Sequence, residues 1–418
     1  MRVCVDARLV SGENGGVEQF TIGLASGLAQ LQGEDEEYIF LAYKDSVEWL
    51  RPYLGDRSHL LFDGSAPRPP GWKQRARRFA PFARTAWHTW PLLATLGRAK
   101  IPESSRVIER AGIDVMHFAK QSGFLTRIPS IYHPHDLQYV HLPEYFTPRD
   151  RRALDVAYRT LCAQAEIVSV ASHWVKRDVV TQYGLEKDKV KVIPLAAPLS
   201  AYPEPSQAEL RRTSLDLLLP DAFLFYPAQT WPHKNHIELI RALGLLRHRY
   251  GLVLPLVCSG QRTRYFGEIE SFAARSGVAD QITFLGFVAP STVHCLYKLC
   301  RAVVIPTKFE AGSFPMMEAF TVGAAVACSN VTSLPEQAGD AALIFDPTDH
   351  VQMAEAIRRI WADPRLRETL AARGKKRQQA LQWSNTAKRF RAHYRRIGGR
   401  RLSEDDSRIL SQDACRES

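Results

Sequence analysis

The run Phe309-Glu310-Ala311-Gly312-Ser313-Phe314-Pro315-Met316-Met317-Glu318 sets two glutamates, with seven residues between them, around a strand-to-helix turn. Carboxylates so placed can read hydroxyl groups while the turn binds an anion, which is the combination a nucleotide-sugar site needs. Ahead of the run, Arg301 to Pro306 (RAVVIP) has the β-branched content of a buried strand. Behind it, Pro315 to Val322 reads as a helix with Ser313 as N-cap and Pro315 in the first turn, where a missing N–H costs nothing. The free N–H groups of that turn, backed by the helix dipole, would accept a diphosphate. One carboxylate would then face a ribose and the other a sugar ring. Glutamates near helix starts also arise for dipole reasons alone, so the other strand ends must discriminate.

Those ends carry further polar chemistry. After the first strand, Ser11-Gly12-Glu13-Asn14-Gly15-Gly16-Val17-Glu18 leads into a helix, and Gly15 and Gly16 would let backbone amides approach a phosphate or sugar. The same glycines fit a tight loop needing positive φ. The loop is neither a G-x-G-x-x-G fingerprint nor a P-loop, which counts against dinucleotide and ATP binding. After Ser130–His133 comes Pro134-His135-Asp136, where the His135 imidazole can hydrogen-bond a sugar hydroxyl or move a proton; His133 is a neighbour without that role. In Gln229-Thr230-Trp231-Pro232-His233-Lys234-Asn235, Lys234 is placed as a point charge for a diphosphate, with Gln229 or His233 assisting. Gly260 and Leu285-Gly286-Phe287-Val288 end two more strands where a base can rest on backbone groups.

The elements that must position these residues alternate as short β-branched runs and helical stretches, the signature of parallel sheets covered on both faces. The expected fold class is α/β, with two doubly wound Rossmann-like domains facing across a cleft. Expected strands are Arg2–Val5, Tyr38–Ala42, Ile113–Phe118, Ser130–His133, Ile167–Ala171 and Val190–Ile193 in residues 1–198. A Pro-rich linker spans 199–221. The second domain, 222–385, has Phe223–Tyr226, Leu252–Cys258, Ile282–Leu285, Ala302–Ile305, Ala325–Cys328 and Ala341–Phe345. A helix over 386–401 and a disordered tail over 402–418 complete the expectation. Ligands of such a pair of domains bind in the cleft between the carboxyl ends of the strands.

No run of about 18 apolar residues is present, and the N-terminal MRVCVDARLV reads as a strand and not a signal peptide. Seven scattered cysteines point to reduced, buried thiols in a cytoplasmic protein, and without a Cys-x-x-Cys pair a structural zinc is not expected. The net charge of +11 implies acidic partners. Residues 64–102 contain no acid, while Arg68, Lys73, Arg75, Arg77, Arg78, Arg84, Arg98 and Lys100 interleave with aromatics such as Trp72 and Trp87. This pattern fits a membrane-surface helix at an inner membrane face, a nucleic-acid groove, or an ordinary helix pair with solvated arginines. The basic stretch Arg389 to Arg401 reads as a solvated helix face.

Taken together, Gly15-Gly16, His135-Asp136, Lys234-Asn235, Leu285-Gly286-Phe287-Val288, Glu310-x7-Glu318, Leu334-Pro335-Glu336, Phe345-Asp346-Pro347 and Trp383-Ser384 resemble the family-4 retaining glycosyltransferases of GT-B fold, over about residues 1 to 395. The resemblance implies that Glu318 binds the ribose hydroxyls, Glu310 contacts the donor sugar, and the backbone of Gly312, Ser313 and Phe314 holds sugar and diphosphate. It further implies that Lys234 offsets charge on the leaving nucleoside diphosphate, Gly16 meets the donor phosphate, Val288 the base, and His135 the sugar near the reacting carbon. Two positions depart from the pattern. Gln229 stands where the family often has arginine, so that one phosphate-binding cation is either missing or supplied by His233, and Glu310-Ala311-Gly312-Ser313 replaces the usual E-G-F-G. The implied reaction is transfer of a sugar from a nucleoside-diphosphate donor to a glycan, lipid-linked or small-molecule hydroxyl, with no metal and no cofactor. A nucleotide-sugar epimerase or phosphorylase on the same fold, or a basic binding scaffold with a decayed donor site, is the competing reading.

Overall fold

The computed structural model describes residues 1–12, 15–31, 35–67, 101–198 and 202–415. The basic residues of the 64–102 segment all fall within 68–100, outside the described residues.

The first domain is built on β1 (Arg2–Asp6), β2 (Glu37–Ala42), β3 (Ser58–Phe62), β4 (Val115–Phe118), β5 (Ser130–Tyr132), β6 (Ile167–Val170) and β7 (Val190–Val192). All pair in parallel, in the order β3-β2-β1-β4-β5-β6-β7. Both faces are covered, as the near-continuous apolar runs require. On β1, Val3 and Val5 point into one core while Cys4 points into the other. β3 was not expected: its Ser-His-Leu-Leu-Phe run lies at the sheet edge, half exposed, and so lacks the apolar density of a central strand.

The second domain comprises β8 (Leu224–Pro227), β9 (Leu256–Ser259), β10 (Ile282–Gly286), β11 (Ala302–Ile305), β12 (Val326–Ser329) and β13 (Ala342–Phe345). These are again all parallel, in the order β10-β9-β8-β11-β12-β13. In each sheet the strand order reverses beside the first strand, between β1 and β4 and between β8 and β11. The loops leaving those four strands therefore converge where a doubly wound domain binds its ligand.

Three expected boundaries are corrected. The 199–221 linker contains a helix, Gln207–Asp216, opened by a capping box in which Ser206 and Glu209 satisfy each other's backbone N–H. The C-terminal helix is Trp383–Ile397 and belongs to the first domain, where Trp383, Phe390 and Tyr394 join the core beside Phe20 and Leu24. Gly23 and Gly27 make room for it, since a Cβ at either would collide with Trp383. Trp383 Nε1 donates to the Ala197 carbonyl at 3.1 Å, and Thr386 Oγ1 to that of Pro194 at 2.7 Å. Finally, the described part of the expected disordered tail is ordered: Glu404–Cys415 is a helix whose Asp406 and Asp413 pair with Arg391, Arg395 and Arg389. Those arginines are accordingly not a solvated face. Ser403 Oγ accepts from Asp406 N at 3.1 Å while Asp406 accepts from Ser403 N, so an S-x-x-D cap starts the helix.

Candidate functional site

The β11 and β8 loops bring the predicted charges into contact. Lys234 Nζ donates to Glu310 Oε2 at 2.7 Å, with 21% and 14% of the two side chains exposed. Each is anchored by backbone. Tyr226 Oη donates to the Lys234 carbonyl at 2.8 Å, while Asn235 bridges the Pro306 and Pro347 carbonyls at 2.9 and 2.8 Å. Asn235 is buried with φ 63°, so the conspicuous Lys-Asn pair divides its labour: the asparagine ties strand ends together and the lysine faces the cleft. The Glu310 carbonyl accepts from Thr332 Oγ1 and from Ser333 Oγ, and its N–H donates to Thr332 Oγ1 at 3.1 Å.

The helix Phe314–Val322 begins as expected, with Ser313 Oγ accepting from Met316 N at 3.4 Å and Pro315 in the first turn. The Ser313 N–H is not free for a ligand, because it donates to Gln337 Oε1 at 2.9 Å. Its neighbours Gly312 and Phe314 donate backbone N–H to no acceptor among the described residues and remain available for an anion. Glu318, one turn farther, accepts from the Tyr297 hydroxyl at 2.7 Å. Burial raises its carboxyl to about 7 despite that bond. Val288 is half-buried at the end of β10, and the adjoining Phe287 is 64% exposed.

The glycine loop of the first domain rests on these groups. Gly15 adopts φ 48°, ψ −120°, which suits glycine, and a Cβ there would lie 3.5 Å from the Gln229 amide nitrogen. A Cβ on Gly16 would sit 3.7 Å from the Phe314 ring. Gln261 Nε2 donates to the Gly12 carbonyl, and buried Glu18 accepts from the Gly12 N–H at 2.8 Å, closing the loop. Across the cleft, Glu336 accepts the His173 and Trp174 N–H groups at 2.9 and 3.0 Å, a carboxylate seated on a first-domain helix start.

Of the two chemistries expected of His135, its surroundings favour the hydrogen bond over proton transfer. Its Nε2 lies 3.0 Å from the Ala119 carbonyl, to which it donates, and its ring packs edge-on against Phe20 and His133. Burial lowers its pKa to about 4, so the neutral ring offers an acceptor and not a proton at physiological pH. The backbone there is held at φ 65°. His133 is indeed structural, its Nδ1 being 3.0 Å from Ser169 Oγ. Next to His135, Asp136 is pushed up to about 6, first by burial and then by the nearby Glu310 charge. Burial beside Lys234 and His236 holds the His233 pKa far below the usual range, which disfavours a charged ring there and favours the reading in which the second cation is missing. Gln229 commits its amide oxygen to Trp231 Nε1 at 2.7 Å. Lys234 thus carries the positive charge of this loop. Sequence reasoning missed Gln337, Tyr297, Thr332 and Gln261, polar side chains on other elements whose contacts have no local signal.

The family described as "Glycosyltransferase Family 4" matches residues 14–200, and "Glycosyl transferases group 1" matches residues 209–377, one on each domain. The chain belongs to the family-4 glycosyltransferases of GT-B fold. Among similar proteins, O-antigen chain mannosyltransferase B of Escherichia coli is 28% identical over 252 residues, 60% of this chain and 66% of that protein. Serotype-specific mannosyltransferase WbdA of Escherichia coli is 33% identical over 174 residues, but these make up only 21% of its length. D-inositol 3-phosphate glycosyltransferase of Actinosynnema mirum is 27% identical over 78% of this chain and 82% of its own. Two solved structures share the fold: HepE of Anabaena with UDP and glucose (TM-score 0.69, 19% identity, 94% of this chain and 99% of that one), and sucrose-phosphate synthase of Thermosynechococcus elongatus (TM-score 0.67, 18% identity, 96% and 99%). Among the described residues of this glycosyltransferase, no helix is long and apolar enough to cross a membrane.

Proposed function

We propose that this glycosyltransferase moves a hexosyl residue from a nucleoside-diphosphate sugar to a hydroxyl of a glycan acceptor, with retention at the anomeric carbon and without a metal ion. The observation that carries the reading is the Lys234–Glu310 pair at 2.7 Å, set beside the Gly312 and Phe314 N–H groups, which have no acceptor among the described residues. The diphosphate sits against those N–H groups and takes Lys234 from Glu310, whose released carboxylate accepts from the sugar hydroxyls. Glu318 holds the ribose, Val288 the base and Gly16 the phosphate side of the loop. His135 accepts a hydrogen bond near the reacting carbon. As the anomeric C–O bond to the phosphate breaks, the electron pair passes to the diphosphate, which Lys234 and the helix start stabilise. The acceptor oxygen bonds the same face and its proton passes to the departing phosphate oxygen.

Relatives named for mannosyl transfer make mannose the first sugar to test. A thermal-shift screen of UDP-, GDP- and ADP-sugars should find one base that stabilises the fold selectively, by mass action. The product formed with that donor should keep the donor's anomeric configuration by NMR. An inverted product would refute retention, and no stabilisation by any nucleotide would refute the donor site.

A further inference from the structure

Next to the reaction centre lies a groove of about 550 Å³ between the domains, and the donor roles above leave it unused. One wall comes from the first domain, Gln138, Glu144 and Tyr145, two to nine residues beyond Asp136. The other comes from the second domain, Trp231, Arg264 and Tyr265, with His233 joining it to Lys234. Past Tyr145 and Tyr265 it continues into a second compartment of about 330 Å³ that ends at Lys308 and Glu238. Each compartment exceeds the roughly 300 Å³ at which small-ligand pockets begin.

The lining is specific in chemistry. Trp231 is 41% exposed, a large ring left on the surface, and its orientation is fixed by the Nε1 hydrogen bond to Gln229. Gln229 in turn abuts Gly15 of the donor loop. Tyr145 reaches across to the His233 ring, with centroids 6.5 Å apart. The side chains of Gln138, Glu144 and Arg264 have no hydrogen-bond or ion-pair partner among the described residues, although they share one groove. Aromatic faces that accept C–H surface, alternating with unspent amide, carboxylate and guanidinium groups, match a pyranose chain, apolar on its ring faces and hydroxylated at its edges. The mixed charge disfavours a polyanion.

We infer that this groove is an acceptor site for a neutral oligosaccharide of two or more residues, with Trp231 as the platform nearest the reaction centre and Gln229 as its positioning residue. The inference rests on the glycosyltransferase reading and narrows its glycan acceptor to a neutral chain of at least two residues. It also gives Gln229 a role in place of a phosphate-binding cation: one side chain links the donor loop to the acceptor platform.

The test titrates the full chain with α-mannotetraose, maltotetraose and cellotetraose, each beside its methyl monosaccharide, by calorimetry and tryptophan fluorescence. At least one tetrasaccharide should bind about tenfold or more tighter than its monosaccharide. Trp231→Ala should abolish that advantage, and Trp231→Phe should restore part of it. In parallel, thermal stabilisation by the nucleoside diphosphate should persist in Trp231→Ala. No chain-length advantage for any glycan, or an advantage untouched by Trp231→Ala, overturns the inference. If nucleotide stabilisation is intact in that case, the donor site stands; if nucleotide stabilisation is absent from the wild type, the proposed function falls instead, and the glycan titration is read independently.

Discussion

Glu318→Gln should make the ligand-free protein more stable at pH 8 and at the same time weaken its donor binding. The Glu318 carboxyl is raised from 4.5 to about 7 by burial, and the hydrogen bond from Tyr297 does not compensate. The native state therefore keeps this proton up to about pH 7, whereas the unfolded chain releases it near 4.5. Between those values the native state binds more protons, so the contribution of this group to stability falls as pH rises through the window. At about 1.4 kcal/mol per tenfold, the ionised carboxylate costs about 3 kcal/mol above pH 7. Glutamine removes the charge, keeps an oxygen for Tyr297, and restores that amount. At about 2–4 °C per kcal/mol, the melting midpoint should rise by about 6–12 °C at pH 8, with the gain vanishing below pH 4.5. Nucleotide affinity should fall roughly 100-fold as charge-assisted bonds to the ribose are lost. Scanning calorimetry of both proteins at pH 4.5, 6 and 8, with and without the selected nucleotide, reads both effects. A midpoint difference that is independent of pH, or undiminished nucleotide affinity, would refute the reasoning.

Lys234→Met should lower kcat by about 10²–10³, the loss of one preorganised charge on the leaving group; because Lys234 touches Glu310, adding Glu310→Gln should cost less than the sum of the two single effects in steady-state kinetics. Full additivity would mean that the two residues do not act as a pair. Activity should survive excess EDTA, and strict dependence on added Mg²⁺ or Mn²⁺ would overturn the metal-free mechanism. Gly27→Ala should destabilise the first domain by about 2 kcal/mol through its collision with the Trp383 backbone, measured by urea denaturation. An unchanged midpoint would mean that the C-terminal helix is free to shift.

Much of the architecture was legible because buried parallel strands announce themselves as apolar runs, and twelve of them did. β3 escaped because an edge strand needs no such run. The site's skeleton was also legible, since Glu310, Lys234, Ser313 and Glu318 stand at fixed offsets from strand ends. What the sequence could not reveal is which groups meet. The Lys234–Glu310 bond joins residues 76 apart, and the Ser313 N–H is taken by a glutamine 24 residues downstream. Nor does chain position disclose burial, which makes His135 and His233 neutral and lifts Asp136 and Glu318. The tail helix, by contrast, carried a readable S-x-x-D cap at Ser403 that its acidic composition obscured.

Because the chain returns to the first domain at Trp383, the second domain is in topological terms an insertion, connected by two crossings. The Trp383–Ala197 hydrogen bond holds those crossings side by side, so a swing of the inserted half must pivot near that bond. A doubled hinge permits bending about one axis while resisting twist. It also puts β1 and the final helix on the same body. A pair of fluorophores on those terminal elements would be blind to cleft closure, whereas one moved to the helix His350–Ala362 would report it.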